Sequence, residues 1–560
     1  MFNPDLYLMA YANIYANHGA MTPGATPETA DGMSIDKIGD IINAMRYERY
    51  HFAPVRRVLI PKKTGGTRPL GVPAWCDKLV GEMIRLLLEA YYEPQFSDDS
   101  HGFRPQRGCH TALRQIEATW TGTVWFIEAD IHDCFGSLDH QVLLNILAQH
   151  IHDGRFIGLI ARMLKAGYLE QWQHYPTLSG AAQGSGCSPV LANIYLDRLD
   201  QFVTTQLIPK HTAGISRQLN PRYMALTAEI RKAVRRQDHA QVKQLKAERR
   251  QLPSQVLDDP NYRRLRYTRY ADDEILGFAG PKAEAEQIKQ ELTDFLGQTL
   301  KLTMSAPKTL ITHARTSKAR FLGYDIWASS DQNRIIKGRR TMSGRIRLGV
   351  PPEVIQAKTT PYLAKGKPAR LTRLLNDADY TIVAEYGAIY RGIVQYYKLA
   401  RNIRALRKLR WAMQTSMLKT LAGKHHSTVT KMDRYYKTTT MTTRGPRTCY
   451  EAHLGRGTKE PLTARFGEIQ LLRDQKAYLP DTHQFEPGLK HREIIKRLLH
   501  RTCELCGLRD NLAEIHQIRS LAELDDPTMD QPWHAIMRKR HRLTLIVCPA
   551  CHELIHQPSR

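Results

Sequence analysis

The chain has 560 residues, too many for one ordinary core, so two to four domains are expected. It is 42% hydrophobic and 24% charged, a globular composition that excludes a long low-complexity tract, and it contains no apolar run of about 18 residues that would predict a membrane-spanning helix. The formal net charge of +26 points to a polyanionic partner, either nucleic acid or an acidic membrane surface.

In chain order, residues 1–19 lack the basic start and apolar centre of a signal peptide and the Arg-rich bias of a transit peptide. The expectation is a cytoplasmic, nucleoid-associated prokaryotic protein, although a gene carried inside an organelle would look the same. Residues 1–50 read as helical, broken by a turn-rich stretch over 21–32. A strand over 55–61 leads into the basic turn Lys62-Lys63-Thr64-Gly65-Gly66-Thr67-Arg68. Helical periodicity over 77–92 presents Val80, Met83, Ile84, Leu87 and Leu88 to a core. A short buried strand is expected over 124–131, and helices over 140–149 and 188–202, the latter with Pro189 in its first turn. Residues 220–251 read as a charged, solvated helical insertion. Residues 266–278 read as strand, tight turn, strand; 283–296 as a helix; 321–327 as a strand; and 352–437 as mostly helical. Mixed strands and helices without regular β-α-β alternation predict an α+β, palm-like arrangement.

The charge is concentrated. Residues 331–450 hold 25 Lys/Arg against 6 Asp/Glu, with Tyr380, Tyr386, Tyr390, Tyr396, Tyr397, Tyr435 and Tyr436 interleaved. Basic side chains neutralise phosphates and aromatic rings stack on unpaired bases; the plainer alternative is a solvated face over ordinary core tyrosines.

Two acidic sites stand out: Glu128-Ala129-Asp130-Ile131-His132-Asp133 at the end of an apolar strand, and Tyr270-Ala271-Asp272-Asp273 in the turn between two others. Adjacent aspartates repel each other, and a divalent cation removes that penalty. Nucleotidyl transfer uses two Mg²⁺ ions about 3.5–4 Å apart, bridged by carboxylates from separate segments. A lone Asp-Asp pair is a weak signal; the array is far more specific.

Taken together, these segments resemble reverse transcriptases, in particular those of group II introns, from about Leu6 to the C-terminus. Met21-Thr22-Pro23-Gly24 with Asp31-Gly32 looks like that family's N-terminal extension. IPKKTGGTRPLGVP looks like its fingers hairpin, and HGFRPQRGCHTAL, ADIHDCFGSLDH, AAQGSGCSPVLANIYLDRLD, RYADDEILGF, SAPKTLITH and FLGYDI follow in its order. The resemblance implies that Asp130, Asp272 and Asp273 hold the catalytic Mg²⁺ ions, with the Ile131 carbonyl adding a further ligand. Lys62 and Arg68 match the residues that grip the incoming dNTP. Phe135 matches the gate against a ribose 2′-hydroxyl, or is a packed core aromatic. Gln183 matches a residue touching nucleotide and template. Lys308 matches the lysine that protonates pyrophosphate, or is an ordinary surface lysine. Two positions depart from the family pattern: Gly136, commonly acidic, and Glu274, commonly apolar. The segment YRGIVQYYKLARNIRALRKLRWAMQTSMLKTLAGKH resembles the family's helical thumb, domain X, which would hold intron RNA or grip a template–primer duplex. The insertion before RYADD looks most like the mitochondrial-like lineage.

The last ~70 residues read as a separate module, too short to fold well without a staple. Cys503, Cys506, Cys548 and Cys551 form two C-x-x-C knuckles suited to structural Zn²⁺. His552 and His556 share a helix face, and with His516 they resemble the divalent-cation site of HNH nucleases; the alternative is three polar histidines in a small zinc fold. Where that family places its general base, this chain has Gln517, which cannot accept a proton usefully. His541 is the substitute in view, and the nuclease is expected to be weak.

The resulting expectation is an α+β multidomain protein with right-hand fingers and palm (1–335), helical thumb or domain X (336–440), a DNA-binding linker (441–489) and a zinc-stabilised HNH ββα-metal module (490–560). Its partners would be group II intron RNA, target DNA and dNTPs, with no membrane contact. The alternatives are an RNA-dependent RNA polymerase, which Phe135 and Ala271 argue against, a splicing cofactor with a decayed polymerase, and a free-standing HNH nuclease.

Overall fold

The structure is a computed structural model that describes all residues except 18, 62–64, 171–172, 176, 178, 181–185, 257–258, 330–334, 337–338, 341–343, 444, 457–458, 480–488, 526–530, 541 and 558–560. Lys62, Gln183 and His541 therefore lie outside the described residues. Two helices open the chain, Pro4–Ile14 and Ile35–Arg46, started by the side chains of Asn3 and Ser34, which accept hydrogen bonds from backbone N–H groups of the first turn. The strands Val55–Pro61 and Thr67–Val72 form an antiparallel hairpin in which Ile60 faces Arg68. The first of them also pairs in parallel with Tyr168–Glu170.

The centre of the molecule is a four-stranded antiparallel sheet in the order Arg264–Tyr270, Asp273–Ala279, Trp125–Asp130, Leu310–His313. The strand Asp273–Ala279 is buried almost throughout, consistent with its central place and its Ile-Leu-Gly-Phe run. The helices Trp75–Tyr92, Ser188–Phe202 and Lys282–Leu300 supply Val80, Met83, Leu191, Leu199, Ile288 and Leu292 to the largest buried cluster. Residues 220–251 form two helices, Pro221–Arg235 and His239–Gln251, rather than one; Gln237, with φ of 58°, reverses the chain between them. Likewise the expected strand over 321–327 is two, Ala319–Phe321 and Tyr324–Ala328, because Leu322 and Gly323 both have positive φ and turn the chain back.

The helices Asp379–Tyr396 and Arg407–Lys424 pack together, and a three-stranded antiparallel sheet (Lys437–Thr442, Gly445–Arg456, Lys459–Phe466) lies on the first of them. That sheet stands in the segment expected to be a linker. The C-terminal module has two antiparallel strands, Glu514–Gln517 and Thr544–Val547, followed by the helix Pro549–His556. It is not the separate unit its length suggested. Ile494, Leu498, Ala513, Ile515 and Ile546 belong to the same buried cluster as Tyr7, Tyr11 and Met33. Among the described residues, Cys503, Ile518, Leu524, Met537, Leu545, Val547 and Cys548 form a small buried core of its own. The N-terminal residues Met33–Ser34 add a third strand to the module's sheet, Met33 opposite Ile515 and Ser34 opposite Glu514. No described helix is long and apolar enough to cross a membrane.

Candidate active sites

Asp130 ends its strand directly opposite Asp273 on the neighbouring strand, and Asp272 occupies the hairpin turn just before Asp273. The three carboxylates thus meet at one end of the central sheet. Burial, then Asp272 and Asp130, push the Asp273 carboxyl up to about 6; burial and then Asp130 also raise Asp272. The opposing positive charge is Lys308, whose Nζ donates to Asp130 Oδ2 at 2.8 Å. Like charges held together in partial burial are a site whose chemistry suits divalent cations.

The turn is held from behind by a buried pair that the sequence reading missed. Arg269 is fully buried, donates Nη1 to the Ala271 carbonyl at 2.8 Å, and pairs Nη2 with Asp200 Oδ2 at 2.6 Å. Tyr267 also donates to Asp200, and Ser100 and Asn193 accept from the same guanidinium. Nothing local marked either residue, because the strand Arg264–Tyr270 also carries Arg264 and Arg266 and the helix Ser188–Phe202 also carries Asp197 and Arg198. Gly102 packs on the same turn: a Cβ there would lie 2.4 Å from the Ala271 nitrogen, so the close approach requires glycine.

The departure at Gly136 has a local reason, and Glu274 is accommodated as a neutral acid. A side chain at Gly136 would collide with Asp133 Oδ2, 2.2 Å away. Glu274 faces away from Asp273, is fully buried with no hydrogen-bond partner for either carboxyl oxygen, and is pushed up to about 8 by burial, so it is largely neutral at pH 7.

Ile131 is buried and bridges to Met304, while Ser305 N–H donates to the Asp130 carbonyl, tying this strand end to the Lys308 loop. Phe135 is half-buried with its ring edge-on to Phe103 at 6.4 Å, and Phe103 is tilted against Tyr270 at 6.4 Å. Arg68 stands exposed on the fingers hairpin. On the basic helical region, Tyr386, Tyr390, Tyr397 and Tyr436 are buried in the core and are unavailable for stacking. The exposed aromatics are Tyr435 (78%) and Trp411 (58%), the latter not singled out from sequence. Arg407 and Lys408 are exposed at the start of the helix Arg407–Lys424, whose first turn has no acidic residue, and Arg404 is exposed in the 3-10 turn Ile403–Leu406 just before it; Arg410 is half-buried against Gly467.

In the C-terminal module the four cysteine sulfurs lie within 4.8 Å of one another, and Cys506 Sγ is 3.9 Å from Cys548 Sγ. Thiolates about 2.3 Å from a tetrahedral Zn²⁺ would be separated by roughly 3.8 Å. Burial raises the Cys503 thiol, but the N–H groups of Cys506, Cys548 and Leu505 outweigh it and hold the thiol at about 7. His516, His552 and His556 come together as the sequence suggested, with a fourth member it did not assign: Asp31. Gln517 is buried and turns away, its Nε2 donating to the Tyr15 carbonyl at 2.7 Å.

Residues 60–326 match the family described as reverse transcriptase (RNA-dependent DNA polymerase), residues 353–442 the type II intron maturase family, and residues 503–552 the AI2M/AI1M-like HNH endonuclease family. The group II intron-encoded protein LtrA of Lactococcus lactis subsp. cremoris is 36% identical over 585 residues, covering 100% of this chain and 95% of that protein. The putative COX1/OXI3 intron 1 protein of Saccharomyces cerevisiae is 35% identical over 443 residues, 76% of this chain and 52% of that protein. Protein YkfC of Escherichia coli is 31% identical over 280 residues, 49% of this chain and 67% of that protein.

Proposed function

Because this chain belongs to the group II intron-encoded reverse transcriptases, with their maturase and HNH endonuclease domains, we propose that it copies its intron RNA into DNA at a DNA target, using Asp130, Asp272 and Asp273 as the catalytic carboxylates. The observation that carries this is the meeting of Asp130 and Asp273 as cross-strand neighbours, with Asp272 in the adjoining turn.

The reaction joins a primer 3′-hydroxyl to the α-phosphate of a dNTP and releases pyrophosphate. Two Mg²⁺ ions held by the three carboxylates would activate the hydroxyl and offset charge on the triphosphate. The Arg269–Asp200 pair fixes the turn, so the Asp272 carboxylate is in place before substrate arrives. Arg68, on the hairpin, grips the triphosphate as a bidentate fork, and Lys62 does so as a point charge. Gln183 touches nucleotide and template, and Phe135 excludes the ribose 2′-hydroxyl. Lys308 holds a proton at Nζ beside Asp130 for the leaving pyrophosphate.

The exposed Arg404, Arg407 and Lys408 bind intron RNA. Arg407 and Lys408 stand in a helix's first turn, where cations are disfavoured by the helix dipole unless an anion sits there, which suits phosphate. The four cysteines hold a structural Zn²⁺, and His516, His552 and His556 hold the cation of the HNH centre. Second-strand cleavage is slow in this chain, because Gln517 offers no base and its amide is committed to Tyr15.

The test is Mg²⁺-dependent dNTP incorporation on an RNA template. Asp272→Ala should lower the rate by several orders of magnitude; near-wild-type extension by that variant would remove the three carboxylates from the chemistry.

A further inference from the structure

We propose that Asp31 is a ligand of the HNH cation, so that the nuclease centre is shared between the N-terminal segment and the C-terminal module. The inference rests on reading His516, His552 and His556 as a cation site.

The first support is spacing. Asp31 Oδ1 lies 3.1 Å from His516 Nδ1 and 3.3 Å from His552 Nε2, and Asp31 Oδ2 lies 2.8 Å from His556 Nε2. His552 Nε2 and His556 Nε2 are 3.2 Å apart. Ligand atoms about 2.0–2.2 Å from one cation, at tetrahedral to octahedral angles, are separated by roughly 3.0–3.5 Å. The Asp31 carboxylate completes such a set.

The second support is where the protons go. His552 Nδ1 stands 2.6 Å from Glu514 Oε2 and donates there. A bound cation takes the neutral ring, in which Nε2 carries the lone pair, and here Nε2 faces an Asp31 oxygen and a second imidazole nitrogen. An outer carboxylate that fixes a histidine's tautomer and turns its other nitrogen inward is the usual support of a metal ligand. His516 is only 3% exposed, yet neither ring nitrogen has a hydrogen-bond partner. Its Nδ1 is close to Asp31 Oδ1 but not in hydrogen-bonding geometry. His552 Nε2 is within hydrogen-bond distance of both Asp31 Oδ1 and His556 Nε2, whereas buried His516 has no hydrogen-bond partner beside them; a cation at the point where these nitrogens and the carboxylate meet would satisfy all of them.

The third support is that Asp31 is held in place. Thr29 Oγ1 accepts from the Asp31 N–H at 3.3 Å, the Gly32 N–H donates to the Ile515 carbonyl at 2.9 Å, and Met33–Ser34 pair with Ile515 and Glu514. Asp31 Oδ1 also accepts from the Gln517 N–H at 2.7 Å. Strand pairing on one side of Asp31 and a backbone donor to its carboxylate deliver the side chain to the histidines.

The experiment titrates the zinc-loaded, full-length protein with Co²⁺ and follows visible absorption. A site with nitrogen ligands gives stronger bands than an all-oxygen carboxylate site. His552→Ala should abolish the bands. Asp31→Asn keeps an oxygen able to accept from Gln517, so docking is preserved; zinc content and amide protection at Met33 verify that. It should weaken Co²⁺ binding by at least about tenfold, since even the outer partners of metal ligands are worth about 10- to 100-fold. If the bands depend on His552 but Asp31→Asn binds Co²⁺ equally well or more tightly, Asp31 is no ligand; tighter binding would make it a competitor for the cation's place. If the wild-type chain gives no such bands, the histidine cation site itself falls, and this inference with it.

Discussion

Phe135 shows what a single side chain needs in order to act as a gate. It must stand beside the carboxylates and be braced, because an unsupported ring yields to the extra hydroxyl. Here Phe103 meets it edge-on and is in turn tilted against Tyr270, two residues before Asp272. Edge-to-face aromatic pairs contribute about 0.5–1.5 kcal/mol beyond their burial. Phe135→Ala is expected to raise rNTP use relative to dNTP use by roughly tenfold or more, since one steric clash is worth about 1–3 kcal/mol. The ratio of the two kcat/KM values checks this; an unchanged ratio makes Phe135 a packing residue. The spacing from Asp130 made Phe135 visible in the sequence. Its brace was not visible, because Phe103 lies in a distant segment and only the fold brings the rings together. The same holds for Arg269 and Asp200: each is one of several charges in its element, and only the fold shows that these two are buried against each other.

Elements with strong periodicity were legible. The sequence outlined the helix Ser188–Phe202 and the hairpin around Asp272 closely. The sheet over Lys437–Phe466 was not, because its first strand, Lys-Thr-Thr-Thr-Met-Thr, alternates between exposed and half-buried positions with almost no apolar residue. The basic helical region illustrates a different limit. Composition marked its charge correctly, but not which residues face water. Arg410 lies against Gly467 and is left out of the RNA-binding set, whereas Arg404, Arg407 and Lys408 remain exposed. Reversing those three to Glu should weaken binding to structured RNA and flatten its dependence on salt. Each lost phosphate contact lowers the slope of log K against log salt by about 0.7–0.9, so the full change is roughly 2–3. Affinity measured over a salt series decides it; an unaltered slope puts the RNA elsewhere.

At the scale of the whole molecule, the C-terminal module shares its core and its sheet with the N-terminal segment, so its stability is not private. Cys503→Ser removes a thiolate from the proposed zinc set and should loosen the module, because so small a core would depend on such a metal. The loosening should spread: amide hydrogen exchange at Gly32 and Met33 is expected to quicken, since the Gly32 N–H is bonded to the Ile515 carbonyl. Unchanged exchange at those two amides would mean that the module and the N-terminal segment hold together independently of zinc. The N-terminal docking was illegible in the sequence because a two-residue strand carries no periodicity, and nothing local links Met33 to Ile515. It also fixes an order in time. Asp31 and Gln517 are 486 residues apart in the chain. At about 5–20 residues per second of synthesis, the N-terminal segment waits roughly 25–100 s for the strand that receives it. The polymerase carboxylates and the basic helices leave the ribosome during that interval, so a chain interrupted before its last fifty residues carries the polymerase carboxylates and the basic helices but no assembled nuclease centre.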